Sequence, residues 1–343
     1  MDSILQLTER QRTELFVAAA QKSGLGAVVL EKDFWVCWIL KELFSLPRIG
    51  EHLIFKGGTS LAKVFRIINR FSEDIDISID RKWLGFGGSN EPEAGASNKE
   101  KQRRVEALLL ACQKRITGEL LPALHFLIQS NVRRDEKWSL LSDEADPDKQ
   151  TLLFHYPSSL PLAEFGYIRR VVKIEMGARA DHWPAETKTV APYVTEQFPE
   201  AFKNPSCEVK VLVAERTFWE KATILHAEYH RPLASAPQDR LSRHYYDFSE
   251  MVRKGVAGRA TEQLDLLKRV AQHKALFFKS GWAKYGEATK GTLRIAPPEH
   301  RLDALRQDYG KMQEMFFGEA PAFGAIIAAL KQWESEFNGK IWG

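Results

Sequence analysis

Two aspartates, Asp74 and Asp76, have the spacing of a divalent-metal site. They flank Ile75 at the start of an alternating run that continues with Ile77 and Ile79. Because alternate residues of a β-strand point to the same face, we expect both carboxylates to lie side by side, opposite the isoleucines. Paired carboxylates suit a hard cation such as Mg²⁺ (or Mn²⁺), which also binds oxygens of substrate phosphates. The spacing therefore predicts a metal site that acts on a nucleoside triphosphate (NTP).

A glycine-rich turn precedes these aspartates in the sequence. Gly57 and Gly58 are followed by Thr59 and Ser60 and by a short amphipathic segment. Glycine lets the backbone approach a phosphate closely, and we expect a helix that begins at Thr59 or Ser60 to direct free N–H groups at that anion. Each motif alone is usually a plain turn or a solvated strand face. Together, in the order strand, glycine turn, helix and Asp-x-Asp strand, they favour nucleotidyl transfer.

A third carboxylate, Glu175, lies in the predicted strand 168–176. Alternation places Lys173 and Glu175 on one face of that strand. Glu175 could complete a metal triad with Asp74 and Asp76, or act as the base toward an attacking hydroxyl. The alternative is a Lys–Glu face exposed at a sheet edge.

Lys221 lies beside the apolar stripe of a predicted helix, 214–229. Thr217 stands one turn earlier, so we expect no acid to pair with Lys221 on this helix. A lysine at such an edge can hold a triphosphate as a point charge, although it could equally extend its ammonium group to water from a buried stem. Arg216 and Glu220 have the spacing to pair on the outer face of the helix.

A later turn concentrates polar and aromatic side chains. Arg243 and Asp247 are one helical turn apart and could pair, and Arg243 is also a candidate nucleotide ligand. Tyr245 or Tyr246 could stack on a base, although we expect at least one of them to pack in the core.

The composition describes a soluble globular protein. Of 343 residues, 44% are hydrophobic and 27% are charged, and the net charge of +4 with a pI near 8.8 permits RNA as a partner without requiring it. We find no membrane span and no signal peptide, and we expect no membrane partner. The three cysteines are far apart, which is typical of reduced thiols in a cytoplasmic protein.

The hydrophobic pattern predicts an α+β chain with a mixed sheet, flanking helices and a helical C-terminal domain. Residues 133–150 and 178–207 have the composition of loops, and a basic run, 99–104, opens a helix predicted to end at Gly118. We expect N-terminal helices over 1–50, the catalytic α/β domain over 51–200 and the helical domain over 201–343. The remaining strands are predicted over 53–55, 75–79, 151–156 and 209–213, and the remaining helices over 6–46, 61–68, 214–229, 243–254, 261–279, 299–317 and 322–338.

Taken together, several segments resemble the AbiEii/AbiGii toxin family of nucleotidyltransferases. The resemblance runs from about residue 30 to the C-terminus, and it is more specific than any single motif. The matching pieces are Glu31–Trp35, Phe55–Leu61, Phe71–Ile77, Glu215–Lys221, Arg243–Asp247, Gly291–Arg294 and Asp308–Gly318.

The resemblance implies a catalytic half similar to DNA polymerase β-type transferases. It implies Ser60, Asp74 and Asp76 in the metal and phosphate site, Lys221 as a phosphate ligand and Asp247 as an essential acid. Thr59 stands between Gly58 and Ser60, where many transferases carry Gly-Ser directly, so either hydroxyl could meet the phosphate.

Members of the family are toxins of bacterial toxin–antitoxin and phage-defence systems, usually beside a winged-helix antitoxin. Some transfer nucleotides to the 3′ end of tRNA, and RNA is the acceptor that we expect here. Nucleotidylation of a protein or small molecule, and a toxin that binds nucleotide without transfer, are the alternatives.

Overall fold

The computed structural model describes residues 1–161, 168–235 and 239–339. The chain forms two compact units. The first unit contains Met1–Val64 and Phe71–Leu212, and the second contains Phe65–Arg70 and Val213–Gly343. Residues 65–70 thus belong with the C-terminal helices, although they precede Asp74 by only a few positions in the sequence.

A mixed seven-stranded sheet organises the first unit, in the order β3-β4-β5-β2-β1-β7-β6. The central strand β2 pairs with β1 in antiparallel and with β5 in parallel orientation, and β1 is parallel to β7. The strands are β1 (Leu53–Lys56), β2 (Ile75–Ile79), β3 (Ser139–Ser142), β4 (Thr151–His155), β5 (Val172–Gly177), β6 (Ala185–Val190) and β7 (Cys207–Leu212).

Seven α-helices accompany this sheet in the described residues: α1 (Asp2–Leu5), α2 (Glu9–Ser23), α3 (Ala27–Ser45), α4 (Gly57–Lys63), α5 (Asn98–Arg115), α6 (Leu121–Asn131) and α7 (Val194–Gln197). Helix α3 is apolar on nearly every side and almost wholly buried, and it packs against β7. A helix that is apolar all round belongs in a core, which explains its position under the sheet.

The second unit is helical in its described residues: α8 (Ala214–Tyr229), α9 (Ser242–Arg253), α10 (Val256–Thr261), α11 (Leu264–Phe277), α12 (Leu302–Lys311) and α13 (Phe323–Phe337). Phe218, Phe248 and Trp333 form its aromatic centre, with ring centroids 4.5–5.4 Å apart. Among the described residues, no helix is long and apolar enough to cross a membrane.

The α+β architecture confirms the fold class predicted from the sequence, with several local corrections. Strands β3 and β6 fall in segments whose composition predicted loops, because short polar edge strands lack an apolar alternation. Helix α4 begins at Gly57 and ends at Lys63, earlier than expected at both ends. Strand β5 begins only at Val172, and helix α5 continues through a π-helical segment (Ile116–Leu120) into α6.

Candidate active site

A row of polar residues crosses four adjacent strands of the sheet. Strand register places Lys56 of β1 opposite Asp76 of β2, Asp76 beside Glu175 of β5, and Glu175 opposite Thr151 of β4. Residues in register share a face of the sheet. The carboxylates of Asp76 and Glu175 therefore lie on the same surface, opposite the buried isoleucines of β2.

The residue before β2, Asp74, extends this surface by one row. It lies close enough to Lys173 for its charge to contribute to the raised pKa of that lysine. Burial acts to lower the pKa of Lys173, but a hydrogen bond to Glu175 (2.7 Å) and the charges of Glu175 and Asp74 together raise it. Both members of the Lys173–Glu175 pair are partly exposed, at 38% and 44% of their side-chain surface. Glu175 is therefore reachable from solvent.

Gly57 of the glycine turn lies directly against the Asp76 carboxylate. Its φ of +80° lies in the left-handed region that side chains avoid, and a Cβ atom built there would be 2.0 Å from Oδ2 of Asp76. The sequence predicted that glycine makes room for phosphate. In the structure, this glycine makes room for the Asp76 carboxylate. Lys56, which precedes the turn, has its Nζ 3.9 Å from Oδ1 of Asp76.

The hydroxyls that follow the glycine pair donate to the backbone. Thr59 is buried, and its Oγ1 donates to the carbonyl of Asp74. Ser60 is also buried, and its Oγ donates to the carbonyl of Gly57 at 2.8 Å. The two hydroxyls hold the peptide of Asp74 and the first turn of α4, in which Gly58 is the second residue.

Two buried ion pairs fix the backbone around this site, and sequence reasoning did not assign them. Lys32 of α3 bonds Glu73, the neighbour of Asp74, at 2.5 Å, and Asp33 bonds Lys63 at the end of α4 at 2.8 Å. All four side chains are nearly inaccessible to solvent. The signal was available, since Glu-Lys-Asp is a polar triplet inside the apolar stretch 28–40 of α3 and buried charges require partners.

The second unit contains a separate buried charge cluster around Asp247. The Arg70 guanidinium donates two bonds to its carboxylate, each of 2.8 Å, and Lys221 Nζ lies 2.7 Å from Oδ2. Lys221 also lies 3.5 Å from Nδ1 of His244. The side chains of Arg70, Lys221 and Asp247 are 2%, 7% and 0% exposed.

Electrostatics within this cluster fix the charge states. Burial alone would raise the pKa of the Asp247 carboxyl, but Arg70 and Lys221 hold it far below its usual range. Burial lowers the pKa of Lys221, and Asp247 partly offsets that effect. Burial, with the charges of Lys221 and Arg243, lowers the pKa of His244 well below its ordinary value, so the imidazole is neutral near pH 7. Arg70 and Lys221 thus share the one carboxylate of Asp247.

Several expectations about this region need correction. The expectation for Lys221 considered only its own helix, and the acid that bonds it, Asp247, comes from α9. Arg216 and Glu220 do pair, at 3.1 Å, but Arg216 is fully buried and does not lie on an outer face. Tyr245 and Tyr246 are both about 2% exposed and belong to the core. Arg243 is half-buried in the turn that leads to Asp247.

Two carboxylates on the sheet surface are the candidate metal ligands. Among residues 1–161, 168–235 and 239–339, no group of three or more His, Cys, Asp or Glu side chains is arranged to hold a metal ion. Glu175 pairs with Lys173 and does not complete a triad. Asp74 and Asp76 remain, and both are half-buried, with the Asp76 carboxylate against Gly57. Mg²⁺ commonly binds through one or two carboxylates and completes its shell with waters and phosphates, so these residues fit it.

Comparisons with known proteins identify the family of this chain. The sequence profile described as "Nucleotidyl transferase AbiEii toxin, Type IV TA system" matches residues 38–334. MenT4, a nucleotidyltransferase toxin from Mycobacterium tuberculosis H37Rv, has a similar fold, with a TM-score of 0.53 and 16% sequence identity over 98% of this chain and 91% of that one. No curated protein matches the chain. The family implies a cognate antitoxin. The matched region spans most of the chain, which therefore belongs to the AbiEii family of nucleotidyltransferase toxins of type IV toxin–antitoxin systems.

Proposed function

We propose that this toxin transfers a nucleotide from an NTP to the 3′ end of a tRNA, and that the reaction depends on Mg²⁺ or Mn²⁺. The observation that carries the proposal is the contact between Gly57 and Asp76 at the polar surface of β2. A turn that requires glycine at this position places the partly exposed Asp76 carboxylate directly against the start of α4. Asp74 and Asp76 are the proposed metal ligands, and the bound ion would neutralise charge that develops on the triphosphate.

We assign the proton-accepting role to Glu175. The hydroxyl oxygen of the acceptor forms a bond to the α-phosphorus, the bond to the β-phosphate oxygen breaks, and pyrophosphate leaves. Glu175 accepts the proton of the hydroxyl. Its side chain is 44% exposed and lies in register with Asp76. Asp247 is a weaker choice of base, because its depressed pKa makes it a poor proton acceptor.

Each of the two units contains candidate phosphate-binding residues. Gly57, Gly58 and Lys56 are the proposed phosphate contacts on the sheet surface, while Thr59 and Ser60 hold the turn. In the second unit, Lys221 and Arg243 are the proposed nucleotide ligands, with Asp247 holding Lys221 in place. An ammonium group that shares its counter-ion with an arginine retains attraction for a further anion.

The choice of RNA as acceptor rests on charge and on the family resemblance. Lys99 and Arg103 of α5 are exposed and available to phosphates. Arg104 is not, because it donates to the carbonyls of Ser89 and Glu91 and pairs with Glu100. NTPs and tRNA are both cytoplasmic molecules, so we propose that the toxin acts in the cytoplasm. We also propose that it acts in phage defence and that its antitoxin is a winged-helix protein.

Incubation with α-³²P-labelled NTPs tests this function. The purified chain is mixed with each NTP and Mg²⁺, together with total RNA, total protein or buffer alone. We expect label in the tRNA band, and none when EDTA is present or when Asp76→Asn replaces the wild type. Label in protein alone would reassign the acceptor. Nucleotide binding without any label would support a toxin that acts by binding.

A further inference from the structure

A pocket of about 400 Å³ adjoins the polar sheet surface in the first unit. We call it the β4–β5 pocket. Its volume falls within the range of roughly 300–1,000 Å³ that is typical of small-molecule sites. Thr151, Lys173 and Glu175 form its floor, and the loop 143–148 forms its wall. Glu175, which lies in register with Asp76, therefore also lines this pocket.

The wall of the β4–β5 pocket is fixed by its own hydrogen bonds. Asp146 accepts bonds from the Thr151 hydroxyl (2.8 Å) and from the backbone N–H of Gln150 (2.9 Å). Asp148 pairs with Arg179 at 2.9 Å across the rim. A loop held to its floor in this way presents a preformed surface, which lowers the entropic cost of binding a ligand.

The position of the pocket relative to Asp76 indicates which of the two substrates it binds. Lys56 and the turn at Gly57 lie on the β1 side of Asp76, whereas the pocket lies on the β5 and β4 side. In phosphoryl transfer the attacking and leaving oxygens are roughly in line, on opposite sides of the phosphorus. If the turn holds the phosphates that leave, the attacking hydroxyl approaches from the pocket.

We infer that the β4–β5 pocket binds the terminal nucleoside of the acceptor RNA, an inference that rests on the proposed transfer to RNA. The lining chemistry favours this part of the acceptor over its phosphates. Asp143, Asp146, Asp148 and Glu175 outnumber Lys173 and Arg179 in the lining, so the pocket repels anions. Carboxylates accept hydrogen bonds from ribose hydroxyls and base amino groups. A 3′-terminal nucleoside supplies both and presents its hydroxyl to Glu175.

Substitution of Ala145 tests this inference. Ala145 is exposed and lines the pocket, and its side chain makes no hydrogen bond, so Ala145→Leu and Ala145→Trp fill the space in two steps. The neighbouring Glu144 is also exposed but does not line the pocket, so Glu144→Trp is the matched control. Initial rates are measured with total tRNA varied at saturating NTP, and then with NTP varied at saturating tRNA.

We expect the KM for tRNA to rise in the order wild type, Ala145→Leu, Ala145→Trp, by about tenfold or more in the last, with the KM for NTP within about twofold. Thermal unfolding and Glu144→Trp kinetics should match the wild type. A rise in the KM for NTP instead would make the pocket the nucleotide site, and unchanged values of both would overturn the inference. Failure of the wild type itself to label tRNA would contradict the proposed function and is distinguishable from these outcomes.

Discussion

Gly57, which follows β1, is in contact with Asp76 of β2. The Asp76 carboxylate occupies the space that a side chain on Gly57 would need. A Cβ atom on Gly57 would lie 2.0 Å from Oδ2 and 2.7 Å from Cγ of Asp76. The left-handed φ of +80° reinforces the requirement for glycine. The conformation of the glycine turn and the position of the Asp76 carboxylate therefore depend on each other.

Replacement of Gly57 should separate backbone strain from damage to the site. Gly57→Ala forces Asp76 to move and should reduce transfer by about a hundredfold or more, because a misplaced catalytic group is costly. Gly24→Ala is the matched control, since Gly24 has a φ of +73° but nothing within 4 Å of its Cβ position. Both variants should lose roughly 1–2 kcal/mol of stability from the left-handed backbone. Activity assays should find the catalytic defect only in Gly57→Ala, and equal activities would refute the contact.

The two aspartates should be dispensable for folding and essential for transfer. Asp74→Asn and Asp76→Asn should each lower the rate by about a hundredfold or more, which is typical of a lost electrostatic group. Unfolding temperatures should stay the same or rise, since clustered like charges repel each other. Asp80→Asn, on the same face at the end of β2, serves as the control in radiolabel and thermal assays. Loss of activity that merely tracks loss of fold would contradict the assignment.

Arg70 should be a structural anchor for Asp247. Arg70→Ala leaves a fully buried carboxylate with Lys221 as its remaining described cation, and should destabilise the chain by about 3–5 kcal/mol. Arg70→Lys keeps the charge but loses the two-pronged geometry, so it should restore stability only in part. Arg306→Ala breaks an exposed pair with Asp303 and should leave stability unchanged. Urea denaturation monitored by tryptophan fluorescence provides the measurement, and equal stability of Arg70→Ala and wild type would exclude the anchor.

Lys221 should act on nucleotide as well as on stability. Lys221→Met leaves Asp247 with both bonds from Arg70, so it should cost less stability than Arg70→Ala. At a temperature where both proteins are folded, nucleotide binding should weaken by roughly 1.5–3 kcal/mol, as for a lost charge-assisted contact. Isothermal titration with each NTP measures this difference. An unchanged affinity for NTP in Lys221→Met would show that the lysine only holds Asp247 in place.

His226 should make the chain less stable below neutral pH. Burial lowers the pKa of its imidazole from 6.5 to about 4, and Nδ1 accepts the N–H of Arg294 while Nε2 donates to the carbonyl of Lys284. Between these pH values the unfolded chain binds a proton that the folded chain excludes. The free energy of unfolding should therefore rise with pH across this window, by about 3 kcal/mol from this residue.

The His226→Leu variant isolates this contribution from other titrating groups. It should be less stable than the wild type at pH 7, yet lose less stability on acidification to pH 4. Urea denaturation at several pH values in this window measures both slopes, and parallel slopes would contradict the prediction.

The sequence alone determined the local elements that carry the candidate site. The alternation around Asp74 and Asp76 specifies a strand with both carboxylates on one face, because a pleated strand has a fixed period of two. The apolar pattern of α3 and the stripe of α8 likewise specified helices in the correct places. These features depend on short-range periodicity, which survives without knowledge of distant partners.

Only the tertiary structure decided which charges meet. Arg70 and Asp247 are 177 positions apart, and Lys32 bonds Glu73 across 41. No local rule predicts such pairs, because the cost of a buried charge is offset by whichever partner the fold brings near. The same reason explains the partner of Lys221, whose own helix has no acid three or four positions away but which bonds Asp247 of α9. The sequence could therefore propose the chemistry of each group, whereas strand register and helix packing decided its partner, its charge state and the side of Asp76 on which the pocket lies.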